Sequence, residues 1–106
     1  MTLEYLRRDA EGYLCDLNDW SPEVAEEIAR AEHIVLTLEH WSVLNALREF
    51  YNCFQLSPTM RPLVKYLRQK TGKENVNSIY LLSLFPGSPA KLAAKIAGLP
   101  KPDNCL

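Results

Sequence analysis

Long apolar runs are missing from this chain. No stretch of eighteen apolar residues is present to cross a membrane as a helix. Nor is Met1 followed by the basic-then-apolar segment of a secretory leader. A cytoplasmic protein with no membrane partner is therefore expected. An excess of charge is missing too: 12 Lys and Arg against 13 Asp and Glu leave a formal net charge of −1. That balance gives no broad electrostatic footprint for nucleic acid or membrane. Glycine is sparse, with 4 residues, and there is no Gly-rich phosphate loop, nucleophile elbow or paired-histidine motif. His33 and His40 lie near helix boundaries without a cysteine or second carboxylate at ligand spacing, so neither metal nor cofactor is expected. The 3 cysteines, Cys15, Cys53 and Cys105, are an odd number. In a compartment that keeps thiols reduced, at least one is free.

What is present suits one domain, residues 1–106, with one core: 47% of the residues are apolar and 24% charged. Residues 1–16 read as a small β-hairpin, Leu3 to Arg7 and Tyr13 to Cys15 closed by a turn at Gly12. Residues 21–97 read as a bundle of about five helices. Ser21 caps the first, with Pro22 at its opening position. Thr37 caps a longer one, Leu38 to Phe54, whose inward stripe is Leu38, Trp41, Leu44, Leu47, Tyr51 and Phe54. A third runs from Met60 to Lys70 with Leu63, Val64 and Leu67 inward and Arg61, Lys65 and Arg68 outward. A fourth spans Asn77 to Phe85. The last starts at Pro89 behind a capping Ser88 and stops at Gly98. The expected fold is mainly α: a compact orthogonal bundle with an N-terminal hairpin and a mobile C-terminal arm, residues 98–106.

The arm is the unusual part. Leu99 and Lys101 each precede a proline and are pushed towards extended geometry. Seven steps separate Gly98 from Cys105, a reach of about 20 Å in a polyproline-like conformation. A thiol is thus held on a tether long enough to enter a partner's cleft. The plain alternative is a surface cysteine near a frayed end. Asp103 and the terminal carboxylate oppose ionisation of Cys105, while Lys101 favours it. An ordinary thiol is only a few per cent ionised at neutral pH, so a partner's pocket is expected to complete its activation.

Other groups carry weaker signals. Cys15, in a strand signal, and Cys53, near Phe50 and Phe54, are expected to be buried as small apolar side chains. Glu23, Glu26, Glu27 and Glu32 form a solvated face. The cations Arg61, Lys65, Arg68 and Lys70 are either another solvated face or the reading helix of a helix-turn-helix DNA-binding regulator.

Several runs resemble one family. They are Asp19-Trp20-Ser21, Glu39-His40-Trp41, the segment from Ser57 to Lys65, Asn77 to Leu81, Leu84-Phe85-Pro86 and, above all, Lys95-Ile96-Ala97-Gly98-Leu99-Pro100-Lys101-Pro102-Asp103-Asn104-Cys105-Leu106. Together they are similar to the DsrC/TusE family along nearly the whole chain. Pro62 and Leu92 depart from the family's runs.

The resemblance implies a sulfur carrier, a sulfurtransferase whose penultimate cysteine, here Cys105, holds a persulfide. Members that work with dissimilatory sulfite reductase have a second arm cysteine, at the position that is Ala94 here. With one arm thiol this chain looks like the TusE-like branch, which implies relay from a TusBCD-type donor complex to an MnmA-type thiouridylase that thiolates the wobble uridine of tRNA. Carried over in the same way, Lys101 belongs to the motif presenting Cys105, and Arg61 and Lys65 line the surface where the arm docks. The same-fold alternative is a carrier in sulfite reduction or sulfur oxidation.

Overall fold

The computed structural model describes residues 6–103. Cys105, and Leu3 to Tyr5 of the expected hairpin, lie outside those residues. After a 3-10 turn over Leu17–Asp19 come five helices: α1 (Pro22–Ala31), α2 (Leu38–Phe54), α3 (Met60–Thr71), α4 (Ser78–Leu84) and α5 (Pro89–Ile96). Three of them start as the sequence dictates. Ser21 Oγ accepts from the Val24 amide at 3.2 Å, and the Asn77 side chain accepts from the Tyr80 amide at 2.9 Å. At α2, Thr37 Oγ1 accepts from the His40 amide while His40 Nδ1 accepts from the Thr37 amide, a capping box with histidine in the usual Glu place. Ser88, expected to cap α5, makes no side-chain cap bond; Pro89 at the first position leaves one fewer amide to satisfy.

The short terminal helix is the centre of the molecule. Every one of α1, α2, α3 and α4 packs against α5. Ala93, Ala94, Ile96 and Ala97 are fully buried and Ala90 nearly so. Alanines leave room for neighbouring helices to come close on several sides, while Ile28, Leu44, Leu47, Leu63, Leu67, Leu81 and Phe85 fill the space between. Full burial of each such side chain contributes about 1.5–3 kcal/mol.

That geometry corrects the expected stripe of α2. Its buried residues are His40, Val43, Leu44, Ala46 and Leu47, whereas Leu38 is 88% and Phe54 57% exposed. With 17 residues α2 is roughly 25 Å long, and the 8 residues of α5 span only about 12 Å. The end turns of α2 therefore extend past α5, and the expected inward stripe is buried only in its middle. Cys53, in the last of those turns, is exposed, and so is Cys15; neither is the buried small residue that was expected.

Nor do the described residues form the expected β-hairpin. Among the described residues the two segments meet at a single antiparallel bridge, Arg8 with Leu14. Asp9 uses its carboxylate to accept from the amides of Glu11 and Tyr13, a local turn that competes with a ladder. Asp16 then caps the 3-10 turn through the Asn18 amide at 2.9 Å, so the second segment has no length left to pair. Tyr13 and Leu14 nevertheless seat this segment on the core, with the Tyr13 hydroxyl donating to Lys91 O at 3.1 Å. His40 pins α2 to the end of α4: its Nε2 lies 2.8 Å from Leu84 O, and its ring stands edge-on to Phe85. Since a carbonyl only accepts, Nε2 carries the proton.

Candidate functional site

The site is built where α5 ends and the arm begins. The Leu99 amide donates to Ala94 O at 2.9 Å and the Gly98 amide to Lys95 O at 3.2 Å, the paired bonds of a Schellman stop with Gly98 in the left-handed region at φ 74°. The expected glycine stop is therefore present, and a second constraint adds to it. A Cβ at position 98 would lie 2.2 Å from Trp20 Cδ1, so the arm leaves the body with its backbone against an indole.

Two side chains take the remaining carbonyls of this helix end. Trp20 Nε1 donates to Ile96 O at 2.9 Å, and an Arg48 guanidinium N–H donates to Ala97 O at 2.6 Å. The same guanidinium stacks over the Trp20 ring, 3.8 Å from its centroid. A cation at a helix C-terminus is also favoured by the helix dipole. Burial pulls the Arg48 pKa below its ordinary value, but the group remains a cation at neutral pH. Neither residue was singled out from the sequence. Arg48 had a signal, a cation at position 48 in the 41, 44, 48, 51 spacing of an apolar face.

From Leu99 to Pro102 the chain is seated against the bundle. Leu99 and Pro102 are buried, and Ser57 Oγ donates to Pro100 O at 2.5 Å. Lys101 Nζ pairs with Glu11 Oε2 at 2.9 Å across the N-terminal turn. The expected free reach of about 20 Å from Gly98 is thereby shortened. From Pro102 to Cys105 only three steps remain, roughly 10 Å of extended chain. Lys101, expected to favour thiolate formation, has its charge engaged with Glu11. A cavity of about 380 Å³ opens beside this root, lined among others by Tyr51, Ser57, Pro62, Lys101 and Asp103.

Arg61 and Lys65 are not in that cavity. They are exposed on α3 and line a different groove together with Arg68. The structure thus brings Lys101 to the arm root and leaves the two α3 cations on the other side of their helix. Two of the four α3 cations make bonds within the protein, although Arg68 stays exposed and lines the groove. Lys70 is ion-paired with Glu49, and Arg68 Nε donates to Val76 O at 2.7 Å. Those bonds take up part of the basic face a reading helix would need.

The structure is a helical bundle in which the chain after the last helix is held against the body as far as Pro102. The chain matches the model of the "DsrC like protein" family over residues 2–106, and it belongs to that family. Two relatives called Sulfurtransferase TusE are similar at the sequence level. One, from Buchnera aphidicola subsp. Schizaphis graminum, is 53% identical over 103 residues, covering 97% of this chain and 90% of its own. The other, from Sodalis glossinidius, is 54% identical over 98 residues, covering 92% and 91%. Among solved structures, the DsrC of Allochromatium vinosum superposes with a TM-score of 0.86 at 50% identity, covering 95% of this chain and 90% of that one. The oxidised gamma-subunit of dissimilatory sulfite reductase (DsrC) from Archaeoglobus fulgidus gives 0.83 at 40%, covering 95% and 92%. Among the described residues no helix is long and apolar enough to cross a membrane.

Proposed function

We infer that this chain is a sulfurtransferase of the TusE type, a carrier that takes a sulfane sulfur onto Cys105 and passes it on. One observation carries the inference: relatives called Sulfurtransferase TusE are at least 50% identical over nearly the whole chain. The transfer needs no net redox change. The Cys105 thiolate attacks the outer sulfur of a donor persulfide, the S–S bond of the donor breaks, and the donor cysteine leaves as thiolate. Cys105 is then Cys–S–SH. An acceptor thiolate attacks that outer sulfur in turn and restores the Cys105 thiolate. In this scheme a TusBCD-type complex is the donor and an MnmA-type tRNA thiouridylase the recipient, both in the cytoplasm, where thiols stay reduced.

The body's contribution is presentation. Gly98, Trp20 and Arg48 fix the direction in which the chain leaves α5, and Ser57 and Glu11 hold Pro100 and Lys101 against the bundle. The thiol is delivered on a short leash from a rigid base, which raises its effective concentration in a docked partner. Incubation with a persulfide donor followed by intact-mass measurement tests the reading. Wild type is expected to gain the mass of one sulfur atom that Cys105→Ser does not gain, and equal labelling of both would end the proposal.

A further inference from the structure

We propose that the groove between α3 and the start of α4 is a docking surface for an acidic, apolar-anchored segment of a protein partner. The groove is about 420 Å³ and is lined by Met60, Val64, Arg61, Lys65, Arg68 and Ser78, among others. Its cations lie at i, i+4 and i+7 of α3, in one stripe. Met60 and Val64, half-buried at i and i+4, run beside them as an apolar floor. Ile79, which follows Ser78 in the chain, is 76% exposed.

Two features of α3 are unfavourable for the helix alone and fit a ligand of opposite charge. The helix has four cations and no carboxylate; Arg68 and Lys70 suit its last turn, but Arg61 and Lys65 are like charges one turn apart. Arg61 sits in the first turn, where the helix dipole disfavours a cation. No acidic residue lies in that turn to offset the charge, and Thr59 makes no side-chain cap bond. Meanwhile Arg68 is held in place, its Nε bonded to Val76 O at 2.7 Å. A cationic stripe set over an apolar floor is complementary to a helix bearing carboxylates beside leucine-like side chains. Met60 adapts to varied apolar anchors.

A nucleic acid fits less well. Single strands are held by aromatic stacking, and no aromatic side chain lines the groove; Tyr66 of the same helix is turned away onto Phe50, centroids 5.3 Å apart. The groove also adjoins the arm. Thr59 and Pro62 line the arm-root cavity while Met60 and Arg61 line the groove, so the first turn of α3 is their common wall. A partner seated here lies beside the exit of the tail. The inference rests on the carrier reading only for the need of a partner.

The test titrates the full isotope-labelled chain with a peptide of about four helical turns carrying glutamates beside a leucine stripe. Parallel arms use the same peptide with glutamine for glutamate, and a single-stranded RNA of matched length. The expected result is saturable binding that perturbs the amides of Arg61, Val64, Lys65, Arg68 and Ser78. Affinity should fall roughly tenfold for the glutamine peptide and for Arg61→Glu/Lys65→Glu, and should weaken with salt. No saturable binding, equal affinity for the glutamine peptide, perturbations elsewhere, or tighter RNA binding through the same residues would each overturn it. Thermal melts confirm that the double variant is folded, and Arg61→Gln/Lys65→Gln gives the same comparison if charge reversal unfolds it. Cys105 loading by inorganic polysulfide is read on the same samples. Loss of loading in wild type counts against the carrier reading alone, and loss of peptide binding against the groove alone.

Discussion

Gly98 and Trp20 are packed so closely that a methyl group on the first would stand 2.2 Å from Cδ1 of the second. Position 98 also has φ 74°, which costs a side chain roughly 1–2 kcal/mol on its own. Gly98→Ala is therefore expected to destabilise the fold by about 3 kcal/mol or more, from backbone strain plus overpacking. Urea unfolding measures the loss. Combining it with Trp20→Ala should cost less than the sum of the two single changes, because the clash is gone; strict additivity would show that the indole is not the obstacle.

Arg48→Met keeps much of the side-chain length over Trp20 but removes the donor to Ala97 O and the cation at the end of α5. The expected cost is about 1–2 kcal/mol. A loss that disappears at high salt would assign the effect to charge, and one that persists would assign it to the hydrogen bond. In both cases sulfur transfer from a protein donor should slow more than loading by a small persulfide, since the base of the arm is what has loosened.

Ser57→Ala removes the hydroxyl that holds Pro100 O at 2.5 Å. Pro100 is exposed, so water replaces the lost donor, and the global cost should be only about 0.5–1.5 kcal/mol. The local effect is the telling one. Amide exchange at Leu99, whose N–H bonds Ala94 O, should speed up while the amides of α2 stay protected. Uniform acceleration throughout the bundle would contradict a latch confined to the arm root.

Burial raises the Tyr80 phenol above its ordinary pKa, and the Glu39 carboxylate that accepts its proton at 3.2 Å adds to the shift. The folded state thus favours the protonated phenol. The stability from this group is fully present below the unfolded pKa and is lost as pH rises through the raised folded value. Tyr80→Phe should accordingly flatten the fall in melting temperature from about pH 9 to pH 11. An unchanged slope would mean that the Tyr80–Glu39 contact between α4 and α2 does not contribute to alkaline unfolding.

The helices were legible because their ends are chemically marked. Ser21-Pro22, Thr37, Asn77, Pro89 and Gly98 place starts and stops that local geometry and bonding can enforce. What was not legible is relational. Nothing local says that an eight-residue alanine-rich helix lies between four others, and from that one fact follow the exposed ends of α2 and of Cys53. The strand signal before Cys15 lost to Asp9 and Asp16, whose carboxylates bind nearby amides more cheaply than a second strand could. At the site, the glycine stop could be read from the sequence. Its indole neighbour, 78 positions away in the chain, could not.

Because the chain is held as far as Pro102, three residues before Cys105, the carrier reading implies that whatever exchanges sulfur with it comes to one rim of the bundle. A supplier and a recipient that both require it must take turns on the same face, so a three-way assembly is sterically disfavoured. Traffic through such a carrier is then governed by how fast each visitor departs.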